Sequence, residues 1–219
     1  MNEQQTFDLV VEDYIFEDDF CISDSNQKVY NYFSNWPSWD CRILNVFGPR
    51  MSGKTFLLTF FANKNSFLKI ESKNLNQEIL DKALLADALI LEDVNININE
   101  EFLFLIFNEF KNNNKFLVFS SDVDTSHIQF NLPDLSSRMK SILNLEILNP
   151  SDNLLYSILL KELSSRQISI KPELLSYIIK RIERTYSSVN IFVNNIDKAS
   201  LQKKKRIDLQ LINQVLSNI

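Results

Sequence analysis

Glycine is nearly absent from this chain, with two among 219 residues. A chain that avoids the residue most tolerant of left-handed backbone keeps it where the backbone has a task. Both glycines, Gly48 and Gly53, fall in one stretch of eight residues, GPRMSGKT. Cysteine is equally scarce. Cys21 and Cys41 are too few for a disulfide framework and lack metal-ligand spacing, so both read as reduced thiols. The single histidine, His127, reads as a loop residue. No apolar run reaches the roughly 20 residues that cross a bilayer. The N-terminal MNEQQTFDLVVEDYIFEDDF is acidic and lacks the basic start of a secretory signal, so a cytoplasmic protein is expected. Positive charge is also short, with a net charge of −5, which argues against coating nucleic acid through bulk charge. The one basic cluster, KKKR at 203–206, reads as a solvated helix end or loop.

What is present is a core. Hydrophobic residues make up 45%, with 17 Phe, enough to bury one medium domain or a domain with a small satellite. Asn, Lys, Ile and Phe are abundant, which reads as a compositional bias without functional content. Residues 1–12 read as an extended tail. Residues 26–34 have helical spacing, and WPSWD then breaks the chain. Apolar runs at 42–47, 66–72, 88–94, 115–121 and 141–148 read as strands. Between them, helices are expected at 53–62, 75–86, 99–113 and 133–140, the third with Asn99 as its cap and Glu100 and Glu101 matched to its dipole. Strands alternating with helices indicate an α/β fold with a parallel five-stranded sheet. After Pro150 the pattern turns all-helical, with helices at 153–167, 172–185, 187–201 and 209–218. A core over 13–150 and a helical lid over 151–219 are therefore expected.

GPRMSGKT fits the phosphate-loop pattern G-x-x-x-x-G-K-[ST], and it follows a predicted strand and opens a predicted helix. Backbone N–H groups curl round a phosphate there, and the helix directs its positive end at the anion. The loop residues Gly48, Pro49, Arg50, Met51, Ser52, Gly53, Lys54, Thr55 and Phe56 are the nucleotide-binding candidates. Lys54 would reach the β and γ phosphates, and the Thr55 hydroxyl would ligate Mg²⁺. A second strand end, LILEDV, supplies two carboxylates: Glu92 on the metal side and Asp93 at the water-activating position. The next strand ends in Ser120-Ser121-Asp122, where Asp122 could sit between the γ phosphate and the attacking water, or in a simple turn. Arg138, in LPDLSSRM, either reaches a neighbouring molecule's nucleotide or is a solvated or acid-paired arginine.

Together these features resemble the AAA+ ATPases, a phosphate-loop core with a helical lid. The finer pattern is similar to the bacterial replication initiator family of DnaA and its shortened relatives of the Hda type. EDDFCISDSNQKVYNYFSNWPSWD, LILEDV, FSSDV, LPDLSSRM and the lid stretch IIKRIERTYSSVNIFVNNIDKASL carry the resemblance over nearly the whole chain. It implies bound ADP or ATP with Mg²⁺, and it makes Arg138 an arginine finger acting in trans. It also implies a short tail that docks on the sliding clamp of the replicative polymerase. Gln4-Gln5-Thr6-Phe7-Asp8-Leu9 fits that register, with Gln4, Phe7, Asp8 and Leu9 as contacts and Gln5 where Leu is usual. The sequence ends at Ile219, directly after the lid, so the initiator's DNA-reading domain, and with it sequence-specific DNA binding, is not expected here. Two departures weigh against an efficient ATPase. Glu92 stands where the initiator has Asp, and Ser187 falls at the lid's sensor arginine, with Arg184 three residues earlier.

The expected function is a nucleotide-binding regulator that docks on the clamp and promotes ATP hydrolysis on a DnaA-type initiator, switching initiation off. Two alternatives are a stand-alone or helicase-loader-like ATPase using Lys54, Asp93 and Asp122 in cis, and a DNA-binding module using KKKR. Pairing between protomers is left open.

Overall fold

The computed structural model describes residues 22–203 and 207–217. The tail candidates Gln4, Phe7, Asp8 and Leu9, residue Cys21 and most of KKKR lie outside them. A helix, α1 (Gln27–Ser34), precedes five strands: β1 (Ile43–Phe47), β2 (Leu68–Glu71), β3 (Ala88–Glu92), β4 (Phe116–Ser121) and β5 (Leu143–Glu146). They are joined by α2 (Lys54–Asn65), α3 (Gln77–Leu85), α4 (Glu100–Asn112) and α5 (Pro133–Lys140). All pairings are parallel, in the order β2-β3-β4-β1-β5.

The strands read as continuous apolar runs because both faces of the sheet are covered. Side chains alternate across the pleat. Leu89, Leu91, Leu117 and Phe119 pack with Leu103, Ile106 and Phe110 of α4. On the opposite face, Leu44, Val46, Ile90 and Val118 pack with Leu57, Leu58 and Phe61 of α2. The WPSWD break belongs to this second layer: Trp36 and Trp39 meet Phe61 at centroid distances of 5.7 and 5.2 Å. Trp36 meets the ring edge-on and Trp39 lies stacked with it, both favourable arrangements of buried rings.

Glycine scarcity leaves a mark on the helix ends. The left-handed residue after a helix is usually glycine. Here Ser66, Asn114 and Gln167 hold it, at φ 57, 57 and 59°. Each is closed by a bond from the next amide: Phe67 N–H to Ala62 O, Lys115 N–H to Phe110 O and Ile168 N–H to Leu163 O. Side chains in this conformation cost roughly 1–2 kcal/mol each, which these closing bonds and the packing beyond them offset.

The lid contains α6 (Asp152–Ser165), α7 (Pro172–Ile179), α8 (Tyr186–Lys203) and α9 (Leu209–Leu216). Leu155, Leu159, Ile178, Val189, Phe192, Val193 and Ile212 form its own core. The expected helix over 172–185 ends early, at Ile179. The reason is local: the Thr185 hydroxyl accepts the Ser188 N–H and caps α8 instead, while Ser188 Oγ donates back to Glu183 O and Thr185 O. No helix among the described residues is long and apolar enough to cross a membrane.

Candidate functional site

The sheet order sets β3, β4 and β1 side by side, so the turns following them meet at one edge. Open parallel sheets place ligand sites at such carboxyl ends. After β1 the chain makes the Gly48–Gly53 loop and enters α2, whose N-cap is Gly53 at φ 90°. Gly48 is compelled by space as well: a Cβ there would lie 2.5 Å from the Ile147 carbonyl oxygen. The leading N–H groups of α2 have no intrahelical acceptors and face the loop's concavity, the arrangement that receives an anion.

Lys54 is buried and folds back over the loop. Its Nζ donates to Gly48 O at 2.7 Å and Pro49 O at 3.0 Å, and lies 3.3 Å from Asp122 Oδ1. Arg50 Nε reaches the other oxygen, Asp122 Oδ2, at 3.0 Å. Burial alone would raise the Asp122 carboxyl; the hydrogen bond from Arg50 and the charge of Lys54 outweigh it and hold the group below its ordinary value. The residue before Asp122, Ser121, belongs to a polar network inside the sheet that sequence reasoning missed. Buried Asn45 of β1 donates to Ser121 Oγ at 3.0 Å and to Asn144 Oδ1 at 2.9 Å. Thr125 Oγ1 donates to Met139 O at 2.7 Å. Single Asn residues inside the apolar runs RILNVF and SILNLEIL were its signal.

Asp93 sits at φ 58°, a left-handed conformation held by its neighbours. Its N–H donates to Ser120 Oγ at 3.1 Å, and its carbonyl accepts from Ser72 Oγ at 2.7 Å and Asn95 Nδ2 at 2.8 Å. Strained residues of this kind concentrate at working sites. Glu92 is placed differently. Its side chain is 3% exposed, Oε2 accepts from Lys69 Nζ at 2.8 Å, and Oε1 is buried without a hydrogen-bond partner.

Two cavities adjoin here. One, of about 630 Å³, is lined by Arg50 to Thr55, Asp93 to Asn95, Asn97 and Asp122. The other, of about 360 Å³, lies between the core residues Asn26, Met51 to Gly53 and Phe56 and the lid residues Leu154, Ile158, Tyr186 and Val189, among others. Met51, Ser52 and Gly53 line both. The first is polar and anion-accepting, the second an apolar slot with an aromatic wall, suited to a planar base. Tyr186, whose hydroxyl is 3.3 Å from Ser25 Oγ, links lid to core, and burial raises its pKa. Thus Arg50, Met51, Ser52, Gly53, Lys54, Thr55, Asp93 and Asp122 converge on one cavity and Phe56 on its neighbour. Gly48, Pro49 and Glu92 line neither. Among the described residues, no group of three or more His, Cys, Asp or Glu side chains is arranged to hold a metal. Of the metal candidates, Thr55 faces the cavity, while one Glu92 oxygen is committed to Lys69 and the other is closed off, so Glu92 does not fit a metal-ligand role here.

Arg184 takes another post. It pairs with Asp152 at the start of α6, with Nε 2.8 Å from Oδ1, and it lines neither cavity. Arg138 also lines neither. Its guanidinium lies over the Phe104 ring, 4.9 Å from the centroid, and donates to Asn108 Oδ1, fixing it against α4.

A parallel sheet in this order, a loop of the phosphate-loop pattern after its β1 strand and a separate helical lid make up the AAA+ fold. The comparisons agree. Domain III of the Thermotoga maritima initiator DnaA superposes with a TM-score of 0.75 at 19% identity, covering 91% of this chain and 94% of that one. AMPPCP-bound DnaA from Aquifex aeolicus gives 0.64 at 20% identity, covering 89% and 70%. In sequence, the Treponema denticola chromosomal replication initiator protein DnaA is 24% identical over 197 residues, 80% of this chain and 42% of its own length. Residues 152–216 match the family model described as Hda, lid domain. The chain thus shares the fold of the DnaA AAA+ domain, and its lid residues resemble the Hda lid.

Proposed function

We propose that this protein is a nucleotide-holding regulator of chromosomal replication initiation, acting on a DnaA-type initiator. The observation that carries the reading is the pair of adjoining cavities: an anion-accepting loop and an apolar slot closed by the lid. An adenine nucleotide fits it, with phosphates on the Gly48–Thr55 loop and the base beside Phe56 and Tyr186. The nucleotide-bound DnaA relative and the Hda-type lid support the same reading. ADP, held as a ligand, suits a site whose cavities no lid arginine lines among the described residues.

Arg138 is the residue assigned to the partner. It lines neither of the chain's own cavities and is held ready on α5 by stacking and hydrogen bonding, as an arginine presented in trans requires. Residues 4–9 are assigned to the sliding clamp on sequence grounds. The test is ATP hydrolysis by the initiator with clamp and DNA present. Wild type should stimulate it, and Arg138→Ala should lose the stimulation; equal stimulation by both would show the role is wrong. Clamp binding should vanish in Gln4→Ala with Phe7→Ala. A second reading, turnover by the chain itself, draws on Asp93 and Asp122 facing the phosphate cavity. Turnover that disappears in Lys54→Ala would favour it.

A further inference from the structure

We infer that nucleotide binding by this chain does not require a divalent cation, because Lys69 supplies internally the positive charge that a metal ion would bring beside the β3 carboxylate. The inference rests on the nucleotide reading above. Lys69 belongs to β2, the edge strand paired with β3. Its Nζ lies 2.8 Å from Glu92 Oε2 and 2.8 Å from Thr59 Oγ1. Thr59 Oγ1 in turn donates to Thr55 O at 2.7 Å. One ammonium therefore ties the β3 carboxylate to the backbone of the loop's last threonine.

Glu92 is unsuited to a metal shell as placed. A hard cation needs carboxylate oxygens it can reach directly or through its own waters. Oε2 is taken, and Oε1 is shut away from the surface. Removing the ammonium would leave a buried carboxylate without its partner, a strongly unfavourable state. The longer glutamate side chain extends this carboxylate toward the neighbouring strand. The cavity holds further positive charge from Lys54 and Arg50, and Asp122 is engaged by both. Asp93 is the other acidic side chain lining the cavity.

The experiment titrates the full chain with a fluorescent ADP analogue, in magnesium and in EDTA. Wild type should bind with dissociation constants within about twofold of one another. Lys69→Met, which bares Glu92, should bind about tenfold more weakly in EDTA than in magnesium, roughly 1.4 kcal/mol. Lys69→Met combined with Glu92→Gln fills the same space without a buried charge and should be metal-independent again; it carries the test if the single variant does not fold. A wild type or a double variant that loses about tenfold in EDTA overturns the inference, as does a folded Lys69→Met indifferent to metal. Wild type that binds in neither buffer overturns the nucleotide reading itself, a result distinct from metal-dependent binding.

Discussion

The Lys54 ammonium spans from Gly48 O, 2.7 Å away at the head of the phosphate loop, to Asp122 Oδ1, 3.3 Å away at the end of β4. The same group thus closes the loop on itself and ties it to the neighbouring strand end. Replacing it with alanine removes the charge that phosphate would meet and leaves buried carbonyls unpaired. Lys54→Ala should abolish ADP binding and cost about 1–3 kcal/mol of stability. Calorimetric titration and urea unfolding read the two effects separately.

Asp122 gives a pH signature. Its folded carboxyl lies below the ordinary value, since Arg50 and Lys54 outweigh the upward effect of burial. A depressed carboxyl contributes stability that is complete above its unfolded pKa and is lost as pH falls through the folded one. The contribution is therefore whole at neutral pH and fades in acid, below about pH 4. Urea midpoints of wild type and Asp122→Asn should differ at pH 7 and converge toward pH 3; a constant gap would show that the carboxylate charge is not the source.

Much of this site was legible because it is local. The phosphate loop occupies eight consecutive residues, and Pro133 opens α5 where its fixed φ suits a first turn. The buried strands were legible as apolar runs. What stayed hidden depends on register between distant segments. Lys69 meets Glu92 because β2 pairs with β3, and no spacing within either strand announces it. Asn45, Asn144 and Thr125 converge from separate parts of the chain. The end of α7 was misread because Ile182 continues the apolar spacing, whereas Thr185 and Ser188 turn the backbone into a new cap. Ser66, Asn114 and Gln167 stand where glycine would have marked helix ends.

Gly48 and Gly53 are required for different reasons, and alanine separates them. At Gly48 the added methyl would meet the Ile147 carbonyl, on the backbone running out of β5, which is pinned by the Ile147 N–H donating to Phe47 O. Neither side of that contact is a flexible side chain. Gly48→Ala should cost about 1–3 kcal/mol or more and lower Tm by several degrees. Gly53→Ala meets a conformational cost of about 1–2 kcal/mol from its left-handed φ, and should displace the N-terminus of α2. Thermal unfolding with and without ADP distinguishes them: Gly53→Ala should lose most of the ADP-induced rise in Tm even where its own loss of stability is small.

Glu100 anchors the segment that delivers Arg138. Its Oε1 accepts the Asn131 N–H and side-chain amide, both at 2.9 Å, and its Oε2 accepts the Leu132 N–H at 2.8 Å. Leu132 is the residue immediately before α5, so the carboxylate on α4 fixes where that helix starts. Burial would raise the Glu100 carboxyl, but these bonds outweigh it and hold it below its usual value. The anchor is therefore complete at neutral pH and is released as acid protonates it. Glu100→Ala should cost about 1 kcal/mol, modest because the site is open to solvent. It should also speed hydrogen exchange at Asn131 and Leu132 and reduce the proposed stimulation of the initiator through Arg138. ADP affinity should stay at the wild-type value, since Glu100 touches neither cavity. A drop in ADP affinity alongside the loss of stimulation would show that α5 and the phosphate loop are coupled, although Arg138 lines neither cavity.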